Sequence, residues 1–126
     1  MYHVVVSHRE GYEFNVRSKN GECSIGLKGK SISPPDALLA SLGSCIGVYL
    51  RKYAEGATID IPNFEVDVQA EFSKEKPVSF RDIQVTIVTK NSAIGEERKG
   101  ALISFIKNCP VHNTLKERPS VSITVQ

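Results

Sequence analysis

The sequence predicts an α+β fold in which the elements follow the order β-β-β-α-β-β-α-β. Three observations lead to this prediction. Apolar and polar residues alternate in several short segments, a long apolar run with helix-start signals lies in the middle of the chain, and a second helical pattern follows it. The 126 residues fit a single domain spanning residues 1–126, and they contain no repeat and no interdomain linker.

The first third of the chain has the pattern of β-strands. Residues 2–7 include three consecutive valines, and the stretch 12–26 begins with an alternation of apolar and polar side chains. That stretch contains Asn20-Gly21, a dipeptide typical of two-residue hairpin turns, so we expect a hairpin there. Residues 26–35 are rich in Gly, Lys, Ser and Pro, and this composition predicts a loop.

A long central helix is predicted over residues 35–55. Ser33 is suited to cap it, prolines fit its first turn, and Asp36 favours the positive end of the helix dipole. Gly56 is a typical helix stop. Because few charges occur before Arg51, we expect most of this helix to be buried.

Two stripes of side chains run along the central helix. One stripe contains Leu38, Leu42, Cys45 and Tyr49, and a neighbouring stripe of small residues contains Ala40, Gly43, Ser44 and Gly47. Small residues allow close approach of a neighbouring backbone. A helix this apolar needs cover on nearly all sides, and one short chain covers it only in part. We therefore predict a homodimer in which the central helices pack together between the sheets.

The second half of the chain contains the remaining elements. Strict alternation predicts strands with one polar and one apolar face, and a Cys-Pro dipeptide is predicted to end the second helix. In chain order we expect two strands, a helix capped by Ser92, a helical turn and a last strand, over residues 64–72, 83–87, 91–108, 111–117 and 121–125.

Composition and charge exclude several classes of protein. The 16 basic and 14 acidic residues are interspersed, so nothing in the charge pattern indicates binding to nucleic acid or to an anionic membrane. No apolar run approaches the roughly 20 residues that span a bilayer. Three cysteines, an odd number, argue against a secreted disulfide framework, and the N-terminal residues lack the features of a leader peptide. We expect a cytoplasmic protein.

The sequence offers two further candidate sites, a phosphate-binding loop and a metal site. For both, an ordinary structural role of the same residues is the better interpretation. Gly29-Lys30-Ser31 matches the end of a phosphate-binding loop, but Ser24 stands where the motif requires glycine, so a solvated loop is the better interpretation. Cys109 and His112 have ligand-like spacing, with Cys45 or Cys23 as distant partners. A structural zinc needs a second such pair, however, so no metal site is predicted.

Cys45 and Cys109 form the third candidate site. Considered alone, each is an ordinary small buried residue, and spacing does not overturn that interpretation. The run Ser33–Cys45, with the sequence SPPDALLASLGSC, resembles the signature that opens the central helix of the OsmC/Ohr family, the osmotically inducible and organic hydroperoxide resistance proteins. Residues 108–115, NCPVHNTL, resemble the second signature of that family. Both occur in the expected order, and the resemblance covers essentially the whole chain.

The resemblance implies an OsmC-like fold in an intertwined homodimer and a thiol-dependent peroxidase that needs no cofactor. Cys45 would attack an organic hydroperoxide and become a sulfenic acid, and Cys109 would condense with it to form a disulfide. A small-molecule or protein dithiol would then reduce that disulfide. Cys23 matches neither signature and is interpreted as structural. The alternative function is a redox-responsive or small-molecule-binding dimer with little or no catalysis.

The peroxidase interpretation requires a cation near Cys45. A thiol with a pKa near 8.5 is only about 3% ionised at neutral pH, and the helix dipole fades within the first turn. In the family an N-terminal arginine oriented by a carboxylate fills this role, which here implies Arg17 and Asp36. Taken without the resemblance, these two are an exposed strand residue and a first-turn helix acid.

Other residues remain open for these roles. Arg9 is a second N-terminal arginine, and Lys28 or Lys30 could approach from the loop. Cys109 precedes the predicted helical turn, where the helix dipole favours a thiolate. The order of the family signatures nevertheless assigns the attack to Cys45.

Overall fold

The computed structural model describes residues 1–90 and 94–126. In chain order, its helices and strands are β1 (Val5–Glu10), β2 (Glu13–Ser18), β3 (Gly21–Gly26), α1 (Pro34–Gly56), β4 (Glu65–Phe72), β5 (Phe80–Val88), α2 (Glu96–Ile106) and α3 (Pro110–Glu117). The chain forms two compact units, Met1–Ala40 and Ser41–Gln126, and each is described by itself. The α+β class is therefore confirmed.

The first unit contains a three-stranded antiparallel sheet in the order β1-β2-β3. Ser18 pairs with Gly21, so the two turn residues are Lys19 and Asn20, one position earlier than the sequence predicts. Gly21 has a φ of +156°, a value that residues with a side chain rarely adopt. The glycine therefore takes the unusual conformation at the start of β3 and not within the turn.

The N-terminus of α1 carries the predicted cap. The Ser33 hydroxyl donates to Asp36 Oδ2 at 2.8 Å, and the Ser33 amide donates to the same oxygen at 3.2 Å. In return the Asp36 amide donates to Ser33 Oγ at 3.3 Å. This reciprocal arrangement is a capping box, which satisfies amides that the helix itself leaves unpaired. It explains why α1 begins at Pro34, directly after Ser33.

In the second unit α1 contributes one buried face to the core. Its buried side chains are spaced mainly four apart and consist of Leu42, Ile46, Leu50 and Ala54, with Gly43 beside them. The expectation that most of the helix is buried is wrong for the single chain, because Val48 is 51% exposed and Leu38 is also exposed. One chain supplies cover for one side of the helix only.

Close packing at the small-residue stripe involves mainly side chains of a neighbouring segment, with the backbone oxygen of Val66 at 4.0 Å from the Gly43 Cβ position. Val68 Cγ2 lies 3.0 Å from the position that a Cβ on Gly43 would occupy, and a ring carbon of Phe64 lies 3.5 Å from the corresponding position on Gly47. Both neighbours lie at or beside β4, which pairs with β5 in an antiparallel two-stranded sheet. The two glycines thus let α1 pack closely against this sheet.

The C-terminal part differs from the prediction in two ways. Helix α2 begins at Glu96 after Gly95, and the predicted cap, Ser92, lies outside the described residues. The last strand predicted over residues 121–125 is not formed. A strand needs a hydrogen-bonding neighbour, and none of the described strands pairs with this segment. Its apolar side chains, Val121, Ile123 and Val125, are 80%, 86% and 95% exposed.

The element order of the described residues is therefore β-β-β-α-β-β-α-α. The final helix, α3, agrees with the helical turn that the sequence predicts over residues 111–117. None of the helices in the described ranges is both long enough and apolar enough to cross a membrane.

Candidate active site

Cys45 and Cys109 are brought together in the second unit. Cys45 lies on α1 and is partly exposed, whereas Cys109 is 0% exposed. Both are free thiols, Cys45 packs against the core cluster that contains Cys109, and the Cys109 thiol is close enough to raise the pKa of Cys45. The structure therefore places the two cysteines of the candidate site in contact, with one accessible to solvent and the other fully buried.

The backbone around Cys109 fixes the position of its sulfur. The Cys109 amide donates at 2.9 Å to the carbonyl of Ile106, the last residue of α2, and Cys109 is also the N-cap of α3. Pro110 occupies the first position of α3, where a missing amide hydrogen costs nothing. The His112 amide donates to Cys109 Sγ at 3.4 Å. Such an amide contact stabilises negative charge that develops on the sulfur.

The pKa of the Cys45 thiol is raised above its ordinary value. Burial is the largest cause, and the hydrogen bond with Cys109 is the second. The backbone amide of Val111 and the charge of Lys52 act in the opposite direction and lower the pKa. In the single chain, the surroundings of Cys45 thus favour the protonated thiol. The Val111 amide and the Lys52 ammonium group offset only part of this effect.

Lys52 is a residue of the site that the sequence reasoning missed. Its ammonium group lies 4.8 Å from the centroid of the Tyr49 ring, and Tyr49 is one turn after Cys45 on the same helix. The signal was present in the sequence, because residues seven apart share a helix face. The family resemblance instead implies a cation in the N-terminal third of the chain.

Arg17 and Asp36 lie in the first unit, and their assignment to the site stays a prediction. Arg17 is an exposed residue of β2, opposite Glu22 of β3. Asp36 forms the helix cap with Ser33, and the hydrogen bonds from the Ser33 hydroxyl and then from its amide lower the pKa of the Asp36 carboxyl. Among the described residues, no ion pair joins Arg17 to Asp36.

A groove of about 320 Å³ shares elements with the candidate site, α1 and α3, although neither Cys45 nor Cys109 lines it. Two of its residues, Leu42 and Ile46, are helix neighbours of Cys45, and His112 is the residue whose amide contacts Cys109. The groove is lined by Leu42, Ile46, Phe80, Arg81, Ile83, Val85, His112, Leu115 and Lys116. Its walls can accommodate an apolar group, and its charged lining residues are basic.

The metal-site alternative gains no further ligands. Within residues 1–90 and 94–126, no three or more His, Cys, Asp and Glu side chains are grouped so that they could hold a metal ion. The ring of His112 is directed to its neighbour, with Nδ1 lying 3.1 Å from Asn113 Oδ1. Cys23 is exposed on β3, in the first unit.

The fold and the site define a small α+β protein with a contacting pair of thiols, one on a long helix and one at the cap of a short helix. The sequence model of the family described as OsmC-like protein matches residues 27–124. The chain therefore belongs to the OsmC-like family, and the resemblance found in the two cysteine-containing signatures is confirmed.

Solved structures share this fold. The OsmC-like protein of Mycoplasma pneumoniae is 23% identical with a TM-score of 0.78, and 94% of this chain and 89% of that chain are covered. The organic hydroperoxide resistance protein OhrB of Bacillus subtilis is 22% identical with a TM-score of 0.62 over 94% and 92% of the chains. The organic hydroperoxide resistance protein OsmC of Legionella pneumophila is 15% identical with a TM-score of 0.64, and 92% of this chain and 89% of that chain are covered. No curated protein sequence matches this chain.

Proposed function

We propose that this protein is a thiol-dependent peroxidase that reduces organic hydroperoxides through Cys45 and Cys109. The observation that carries the proposal is the proximity of the partly exposed thiol of Cys45 to the fully buried thiol of Cys109. A peroxide from solution meets the accessible thiol first. The buried Cys109 thiol is shielded from the peroxide but is close enough to Cys45 to react with its sulfenic acid in the second step.

The proposed reaction has three steps. The Cys45 thiolate attacks a peroxide oxygen, the O–O bond breaks, and the substrate leaves as an alcohol after taking up a proton, while Cys45 becomes a sulfenic acid. Cys109 then attacks the Cys45 sulfur, and the hydroxyl leaves as water when the disulfide forms. A dithiol, either a small molecule or a protein, donates two electrons through a mixed disulfide and restores both thiols.

The groove supports an organic substrate. Its apolar wall, which includes Leu42, Ile46 and Phe80, offers burial to an alkyl or aryl group, whereas hydrogen peroxide has no such group to bury. Two proteins of the same fold, from B. subtilis and L. pneumophila, are described as organic hydroperoxide resistance proteins. A role in detoxifying hydroperoxides under oxidative stress follows from this substrate class.

Turnover of cumene hydroperoxide with dithiothreitol tests the proposal. The reduced protein should consume the peroxide over many cycles. Without dithiothreitol, one equivalent of peroxide should remove two hydrogens from its mass, and digestion should yield one peptide pair bridged through Cys45 and Cys109. Oxidation that leaves both thiols alkylatable, or that bridges Cys23 instead, would contradict the proposed pairing.

A second candidate function is a redox-responsive or small-molecule-binding protein with little catalysis. The raised pKa of Cys45 favours it, because a mainly protonated thiol attacks peroxide slowly. The same assay separates the two functions. A sensor would form the disulfide once and would then stop, with no continued loss of peroxide when dithiothreitol is in excess.

The partners and setting that accompany this proposal are a second copy of the chain and the reducing cytoplasm. The exposed apolar side chains of α1, among them Leu38 and Val48, support a dimer in which central helices pack together, as the sequence predicts. The roles that the resemblance implies for Arg17 and Asp36, as activating cation and orienting carboxylate, also remain part of the proposal.

Light scattering on the purified protein measures the assembly. We expect a mass of twice the 13.9 kDa of one chain at micromolar concentration. A mass of one chain, unchanged when the protein concentration is raised, would contradict the dimer.

A further inference from the structure

The site contains a cation whose role is not explained by the cap, the core or the disulfide step. Lys52 is exposed on α1, two turns after Cys45, and its charge lowers the pKa of the Cys45 thiol, as the smallest of the effects that act on this pKa. The proposed reaction begins with a thiolate, so a positive charge at this place acts on the step that burial opposes.

The position of the Lys52 side chain is set by an aromatic ring. Its ammonium group lies over the ring of Tyr49 at 4.8 Å from the centroid. Tyr49 precedes Lys52 by three residues, so the lysine side chain extends back toward the N-terminus of the helix, which is the direction of Cys45. The Tyr49 ring packs in turn against Phe105 of α2, with their centroids 5.9 Å apart. Tyr49 thus holds the ammonium group over the turn that separates it from Cys45.

We propose that Lys52, held by Tyr49, is a second cation that stabilises the thiolate of Cys45, in addition to the N-terminal arginine that the family resemblance implies. It acts on the substrate through Cys45 and is therefore a positioning residue. Among the described residues, the groups that act on Cys45 from other elements of the unit are the thiol of Cys109 and the amide of Val111, and the His112 amide contacts Cys109. Of these, Cys109 opposes ionisation of Cys45 and the Val111 amide favours it.

The pH dependence of Cys45 alkylation tests this inference. In a Cys23→Ser background, each protein is treated with iodoacetamide at a series of pH values, and the rate at Cys45 is followed by peptide mass spectrometry. Lys52→Met should raise the pKa of Cys45 by about 0.5, which lowers its thiolate fraction below the pKa by about threefold. Lys52→Arg should keep the wild-type profile, because it keeps the charge. The matched control, Lys74→Met, removes an exposed lysine from the loop between β4 and β5 and should also leave the profile unchanged.

Salt dependence provides a second measurement. Raising the ionic strength screens an exposed charge, so the pKa of Cys45 in the wild-type background should rise toward that of Lys52→Met, while the Lys52→Met profile should change little. If the Lys52→Met and Lys74→Met profiles coincide, the inference is overturned. Should Lys52→Met fail to fold by circular dichroism, an alkylation profile of the wild-type background that does not respond to salt overturns it equally.

This inference rests on the proposed function, in which Cys45 is the attacking thiol. The experiments nevertheless distinguish a failure of the role of Lys52 from a failure of the peroxidase function. Alkylation needs neither peroxide nor reductant. A shifted alkylation profile in a protein that does not turn over cumene hydroperoxide would support Lys52 and reject the peroxidase. Turnover with an unchanged profile would support the peroxidase and reject Lys52.

Discussion

Replacing Cys45 by serine should reduce peroxide consumption by at least about a thousandfold, because a serine hydroxyl is not ionised at neutral pH and does not replace the attacking sulfur. The change removes one sulfur atom and leaves α1 otherwise intact, so the circular dichroism spectrum should be unchanged. Peroxide loss with excess dithiothreitol measures the effect. Full activity in Cys45→Ser would contradict the assignment of Cys45 as the attacking residue.

Two further variants, Cys109→Ser and Cys23→Ser, test whether the loss of activity is specific to Cys45. In Cys109→Ser the sulfenic acid of Cys45 should persist, seen as a gain of one oxygen that a sulfenic-acid reagent captures, because the resolving thiol is missing. Cys23→Ser is the matched control, since Cys23 is exposed on β3 in the other unit, and it should retain wild-type turnover. A large loss of activity in Cys23→Ser would mean that the wrong cysteines have been paired.

Replacing Leu50 by alanine should lower the free energy of unfolding by about 3 kcal/mol, a large part of the total stability of a domain of this size. Leu50 is 0% exposed and lies in the core stripe of α1, so the shorter side chain leaves a cavity that its neighbours fill only in part. Urea denaturation at one fixed protein concentration measures the effect, because a dimer makes apparent stability depend on concentration.

Leu27→Ala is the matched control for Leu50→Ala. Leu27 is 48% exposed in the loop after β3, and its truncation should cost less than about 1 kcal/mol. Equal losses in the two variants would contradict the core described for α1. We also propose that residues 1–126 form one domain, in which case wild-type unfolding should follow a single transition by fluorescence and by circular dichroism.

The contact between the two thiols has opposing effects on the proposed reaction. Proximity lets Cys109 resolve the sulfenic acid on Cys45, but the same hydrogen bond favours the protonated form of Cys45 and slows the first attack. Positive charge at Lys52 and the amide of Val111 offset part of that effect. This balance explains why a site with closely placed thiols still needs a nearby cation.

Local patterns determined much of this protein. The capping residues Ser33 and Asp36 and the two prolines between them defined the start of α1, because the groups that satisfy a helix end are neighbours in sequence. Strict alternation in β4 was equally informative, since strand periodicity is also local. The two cysteines were found through the short signatures around them.

Tertiary structure decided what these patterns do not encode. Alternation in residues 121–125 predicted a strand, but a strand exists only where a second strand supplies hydrogen bonds, and the described chain supplies none there. The apolar composition of α1 indicated burial, yet only one face is covered by this chain. Contact between Cys45 and Cys109, the raised pKa of Cys45 and the placement of Lys52 over Tyr49 depend on distances between groups, and such distances are fixed only when the helices pack.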